Sequence, residues 1–93
     1  MCEIYSSTPP PEYEQITRSV RLNGLVTSIR LERRFWAILD DVAKQEELSL
    51  GKFLATLHEE AYSVHGEISN FASLLRVVCT TYLVKYQSAE AVA

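Results

Sequence analysis

Cysteine is scarce in this chain: Cys2 and Cys79 are the two in 93 residues. They stand far apart and in unlike settings, and neither belongs to a C-x-x-C or other metal-ligand spacing. That excludes a disulfide scaffold or zinc ribbon and points to a reducing compartment. Secretory character is lacking too. The opening M-C-E-I-Y-S-S-T-P-P-P has no basic n-region and no apolar h-region. No apolar run approaches the roughly 20 residues of a membrane-spanning helix, so a cytoplasmic protein with no membrane partner is expected. Catalytic groupings are missing as well. His58 and His65 lie seven apart, and H-E-E-A-Y lacks the second histidine of a zinc-protease helix. Nothing pairs a nucleophile with a base and an orienting acid. The expectation is a non-enzyme with no catalytic residue, no metal site and no cofactor.

Positive charge is short overall and concentrated locally. The net charge is −3. Residues 1–17 carry three acids and no base, residues 18–34 five arginines and one glutamate, and residues 35–93 four bases against eight acids. The whole positive excess therefore falls in one short stretch, and the folded chain should be electrically polarised. Hydrophobic residues at 47% and charged residues at 23% are ordinary for one globular domain.

That basic stretch holds R-S-V-R-L-N-G-L-V-T-S-I-R-L, Arg18 to Leu31. Asn23-Gly24 suits a type I′ turn, in which both central residues need positive φ. With the turn there, Leu22 faces Leu25, Arg21 faces Val26, Val20 faces Thr27 and Ser19 faces Ser28. Side chains alternate along a strand, so Val20, Leu22, Leu25, Thr27, Ile29 and Leu31 share one face. Ser19, Arg21, Val26, Ser28 and Arg30 share the other. The two strands agree on which face is apolar, and a one-residue slip would destroy that agreement.

Residues 1–17, with Pro9 to Pro11, read as an extended or disordered lead-in, and residues 87–93 as a frayed tail. The domain spans 18–86. After the ribbon, Phe35, Leu39, Val42 and Ala43, flanked by Trp36 and Ile38, form an apolar stripe at helical spacing up to about Leu48. Phe35 and Trp36 are core or dimer-interface residues. Ser49 is the next N-cap candidate. A second helix follows, with Leu50, Phe53, Leu54, Leu57 and Ala61 inward and Thr56, His58, Glu59 and Glu60 outward, until S-V-H-G-E at 63–67 breaks it. Ser69 or Asn70 then caps a third helix carrying Phe71, Leu74, Leu75, Val78 and Tyr82. Val77, Cys79, Leu83 and Val84 widen its apolar surface, which predicts burial on more than one side, with Cys79 a small core residue. One strand and two helices in about 45 residues bury too little core alone, and pairing of strands across a two-fold axis is the natural remedy.

The run T-S-I-R-L-E-R-R-F-W-A-I-L, followed by E-L-S-L-G-K-F-L, resembles the ribbon-helix-helix superfamily of the Arc and MetJ repressors. With R-S-V-R-L-N-G-L before it and S-L-L-R-V after, the chain is similar to a bacterial subgroup that has an extra N-terminal strand and a third helix. The resemblance implies a mainly α fold with a short β-ribbon: an intertwined ribbon-helix-helix homodimer with a hairpin and three helices per chain. It further implies a DNA-binding, repressor-like transcriptional regulator whose two-stranded ribbon lies in the major groove of duplex DNA. Val26, Ser28 and Arg30 would then reach base edges. Ser49, Leu50 and Lys52 at the second helix start, with Arg33, Arg34 and Arg21, would contact phosphates.

Hairpins on both copies make four strands across the dimer. Their backbones span roughly 14 Å against a groove about 12 Å wide. Either the outer strands twist away from the groove, or the same arginine-bearing face meets protein. The second case is an antitoxin-like or adaptor dimer that does not read DNA, with a protein partner or higher oligomer at the third helix.

Overall fold

The computed structural model describes residues 7 to 92, with side chains described to Lys85. The first six residues of the expected lead-in, Cys2 among them, and Ala93 lie outside the described residues. A single helical turn, Pro10–Tyr13, precedes strands β1 (Gln15–Leu22) and β2 (Leu25–Glu32), then helices α1 (Arg33–Gln45), α2 (Leu50–His65) and α3 (Phe71–Val92). The backbone of α3 runs on through most of the stretch expected as a tail.

Asn23 (φ 52°) and Gly24 (φ 80°) both take positive φ at the turn, the requirement of a type I′ hairpin. The register follows: Leu22 opposes Leu25, Arg21 Val26, Val20 Thr27 and Ser19 Ser28. Pairing continues to Gln15 opposite Glu32, so β1 begins three residues before Arg18.

One face of the hairpin is covered by the three helices except at Leu25 and Thr27, next to the turn on β2. Val20, Leu22, Ile29 and Leu31 from the ribbon pack with Trp36 and Leu39 of α1, Leu54 of α2, and Leu75 and Cys79 of α3. Trp36 donates its indole N–H to the carbonyl of Ile16 at 2.9 Å, which satisfies the ring's polar edge inside an apolar setting. Burial pushes the Cys79 thiol up to about 11, because the thiolate would lose its hydration there.

The helix ends follow local chemistry. α1 stops at Gln45, short of Leu48, because Glu47 turns left-handed (φ 58°). The N–H of Leu48 then reaches the carbonyl of Ala43, and that of Glu47 the carbonyl of Lys44, a Schellman ending. The Ser49 hydroxyl accepts from the Lys52 N–H at 3.2 Å, and Asn70 Oδ1 from the Ser73 N–H at 3.1 Å. Helix α2 continues to His65 and closes at Gly66 (φ 79°).

Two expectations need correction. His58 does not point outward: its ring meets Phe71 edge-on, with centroids 5.0 Å apart, because the start of α3 folds back over this part of α2. Nor is α3 buried on several sides. Leu75 and Cys79 are fully buried while Val77 and Val84, on a different face, are exposed, and so is Leu83 one turn beyond Cys79; among the described residues nothing covers these three.

Candidate nucleic-acid interface

The uncovered face of the ribbon carries Gln15, Thr17, Ser19 and Arg21 from β1 and Val26, Ser28 and Arg30 from β2, all exposed. Strand alternation places them there, and the register sets Arg21 beside Val26 and Thr17 beside Arg30. Val26, Ser28, Arg30 and Arg21 thus stand together on one surface of hydroxyl and guanidinium groups. Arg21 and Arg30 make no ion pair among the described residues.

The backbone of β2 is equally uncovered on one edge. In a two-residue hairpin the residues flanking the turn exchange hydrogen bonds, and the pattern alternates along the ladder. The Arg33 N–H, bound to the Glu14 carbonyl at 2.8 Å, keeps that parity at the far end. Leu25, Thr27, Ile29 and Leu31 therefore direct their N–H and C=O groups toward β1. Those of Val26, Ser28 and Arg30 point to the open side, where no strand among the described residues pairs with them.

Arg33 and Arg34 open α1, apart from the ribbon face, and both already hold acids of the preceding segment. Arg33 lies 3.6 Å from Glu14 and Arg34 lies 3.2 Å from Glu12. These pairs are well exposed, and such pairs contribute little, on the order of 0–1 kcal/mol. Phosphate oxygens can replace them.

Ser49, Leu50 and Lys52 form a third place, the start of α2. The Lys52 N–H is taken by the Ser49 hydroxyl, and the Phe53 N–H by the Ser49 carbonyl. Those of Leu50 and Gly51 stay available at the positive end of the helix dipole, with the Lys52 ammonium beside them.

Several side chains that shape this region were not legible as such. Arg18 sits on the inward face, its guanidinium 4.9 Å from the Trp36 ring centroid and 3.8 Å from Asp40. Its parity with Val20 and Leu22 was the available signal. Glu32, where ribbon passes into α1, accepts from Arg76 Nε at 2.9 Å and Nη2 at 3.3 Å, and from Gln15 at 3.3 Å. The Arg76 guanidinium, aided by the Glu32 and Gln15 amides, holds that carboxyl below its ordinary value. Of the six arginines, Arg18, Arg33, Arg34 and Arg76 are engaged by acids. The two on the ribbon's outer face are not.

Comparison with known proteins agrees with this architecture. Residues 15–83 match the family model of the ribbon-helix-helix domain. Among solved structures, an uncharacterized protein from Bordetella pertussis Tohama I superposes with a TM-score of 0.91 at 36% sequence identity, covering 96% of this chain and 71% of that one. No curated protein matches the chain. Ribbon-helix-helix domains are typically found in DNA-binding transcription regulators or antitoxins, and usually bind DNA as dimers. No helix among the described residues is long and apolar enough to cross a membrane.

Proposed function

The chain belongs to the ribbon-helix-helix family, and on that premise we propose that two copies pair through β2 to form a duplex-DNA-binding regulator. The observation that carries this reading is the pair of guanidinium groups, Arg21 and Arg30, left without acids on an exposed hydroxyl-bearing face. An acidic protein that pairs its other arginines with its own acids leaves these two guanidinium groups as a local positive field on this surface. In the proposed complex Arg30 donates to a guanine edge, Ser28 bonds permissively, and the Val26 methyls meet a thymine methyl. Arg21, the α2 start with Ser49, Leu50 and Lys52, and Arg33 and Arg34 after exchange of their acids, hold phosphates.

The test is a binding curve on duplex DNA as a function of salt, using first random sequence and then the region upstream of the protein's own gene. Affinity is expected to fall with a log–log slope of several units. Arg30→Ala relaxes sequence preference, while Lys52→Ala weakens all sequences alike. Absence of binding to either DNA at low salt would refute the reading.

One observation favours a second reading. Val77 and Val84, seven residues apart and so on one face of α3, are both exposed, an apolar pair that suits a protein partner. If the dimer retains a protein and no DNA, its function is that of an interaction module of the antitoxin or adaptor kind.

A further inference from the structure

One polar group in this chain is left in a setting that does not suit it, and a hydroxyl stands nearby that a second copy could bring to it. His58 Nδ1 is buried and has no hydrogen-bond partner among the described residues. A buried nitrogen without a partner is costly, and such an atom calls for an explanation. His58 borders an open trough alongside the free edge of β2, lined also by Leu25, Thr27 and Ile29 of the strand and by Ser69, Asn70 and Phe71 at the start of α3. Thr27 carries that hydroxyl. It is the sole one on the inward face of β2, among Leu25, Ile29 and Leu31, and the chain leaves it exposed.

The open edge fixes how a second strand can lie there. Val26, Ser28 and Arg30 offer unpaired N–H and C=O groups, and two identical antiparallel strands related by a two-fold axis must pair symmetrically. Centring the axis on Ser28 uses all three positions: Val26 opposes Arg30 and Ser28 opposes its own copy. Moving the centre to Thr27 sets Arg30 against Gly24 of the turn, and moving it to Ile29 sets Val26 against Glu32 at the last position of β2 and Leu25 against Arg33, beyond the strand. On the inward side the same register sets Leu25 against Leu31 and Thr27 against Ile29. The exposed Leu25 is thereby covered, and the incoming Thr27 descends beside Ile29 into the trough that His58 borders.

We propose that Thr27 of each copy donates its hydroxyl proton to His58 Nδ1 of the other, so that each copy completes the other's buried histidine. The inference rests on the dimeric part of the proposed function and goes beyond it, to the polar pair that fixes the register. Apolar residues can slide along one another; a matched hydroxyl and imidazole at one position cannot.

A double-mutant cycle on the dimer dissociation constant, measured by sedimentation on the full chain, tests it. Thr27→Val keeps the shape and removes the donor, and His58→Phe keeps the ring edge against Phe71 and removes the acceptor. Each is expected to weaken the dimer about tenfold, since a buried partner is left unsatisfied twice per dimer. The double variant should be no weaker than either single one, and Thr27→Ser should stay near wild type. The ¹⁵N resonance of His58 Nδ1 should move in Thr27→Val and hold in Thr27→Ser. That pair of variants decides the matter even if His58→Phe does not fold. Additive losses, or a Thr27→Val dimer as tight as wild type with an unmoved resonance, overturn the proposal. A chain that stays monomeric at all concentrations overturns both this pair and the DNA reading. A dimer that binds DNA without coupling between the two sites overturns the pair alone.

Discussion

The two ends of the ribbon are built on different principles. At the end away from the turn, where Gln15 and Ile16 pair with Glu32 and Leu31, the structure is closed. Leu31 and Trp36 are buried, the indole is bonded to Ile16, Arg18 covers the ring, and Glu32 is held by Arg76 of α3. At the turn end Leu25 is 72% exposed and Val26 65%, Thr27 is bare, and the edge of β2 is unpaired. The same alternation of apolar and polar residues runs the whole length. What differs is whether the chain brings its own cover. A single copy covers β2 at one end and leaves it bare at the other, and at that bare end stands Arg21, which has no ion pair among the described residues.

The largest effect is expected at the closed end. Trp36→Ala removes a fully enclosed ring and its hydrogen bond, and the cost should be about 3–5 kcal/mol of unfolding free energy, read by denaturant titration. Cys79 reports the same event. Its thiol, buried in the wild type, should resist alkylation at pH 8 more than a hundredfold relative to an unfolded chain, and that protection should collapse in the variant. A loss below about 1 kcal/mol would mean that the closed end is not what holds the chain together.

Next comes the link between ribbon and third helix. Arg76→Ala strips Glu32 of its main partner, and with both side chains about one-quarter to one-third exposed the expected loss is about 1–2 kcal/mol at pH 7. The pH dependence has a definite sign. Arg76 lowers the carboxyl of Glu32 in the folded state below the ordinary 4.5. The stabilisation is therefore present above that value and disappears as pH falls through the lowered one. Thermal melts of wild type and Arg76→Ala should differ at pH 7 and converge as the pH falls below the lowered carboxyl value. A gap that stays constant with pH would remove Glu32 from the account.

The same contrast explains what could be read from the residues. The hairpin, its register and its apolar face were legible because Asn23-Gly24 and strict alternation are local signals. The Ser49 cap was legible for the same reason, and so was the family, through the run from Thr27 to Leu39. The start of β1 was not, because Arg18 interrupts the apolar series on the inward face; only its stacking on Trp36 makes an arginine acceptable there. Arg33 and Arg34 read as unopposed charge, since nothing local shows that Glu14 and Glu12 fold back beside them. The Glu32–Arg76 link joins residues 44 apart, and no periodicity carries such a contact. His58 was placed outward by helical spacing alone, before the return of α3 over α2 could be taken into account.

A smaller effect belongs to the turn. Asn23 holds φ 52°, a conformation that costs most residues about 1 kcal/mol and Asn less. Asn23→Ala should lose up to about 1 kcal/mol, and Asn23→Gly should be close to neutral, both by denaturant midpoint. At an end with little packing, turn geometry carries most of the local order. An alanine variant as stable as wild type would show that the hairpin holds its shape without the turn.

The smallest expected effect on the single chain, and the sharpest probe of the open end, is Leu25→Asn. Leu25 buries little against its own chain, so the substitution should change the stability of the dilute protein by no more than about 0.5 kcal/mol. On association it should behave quite differently. The proposed register lays Leu25 against Leu31 of the second copy, and each leucine buried there contributes about 1.5–3 kcal/mol. Two such sites per dimer make a loss of well over tenfold in dimer affinity the expected outcome. The two quantities separate experimentally, because mass action makes the melting temperature of an associating protein rise with concentration. Wild type should show that rise and Leu25→Asn should not, while their curves meet at high dilution. If the variant is instead several kcal/mol less stable at every concentration, Leu25 is part of the chain's own core, and the distinction between a closed and an open end of the ribbon fails.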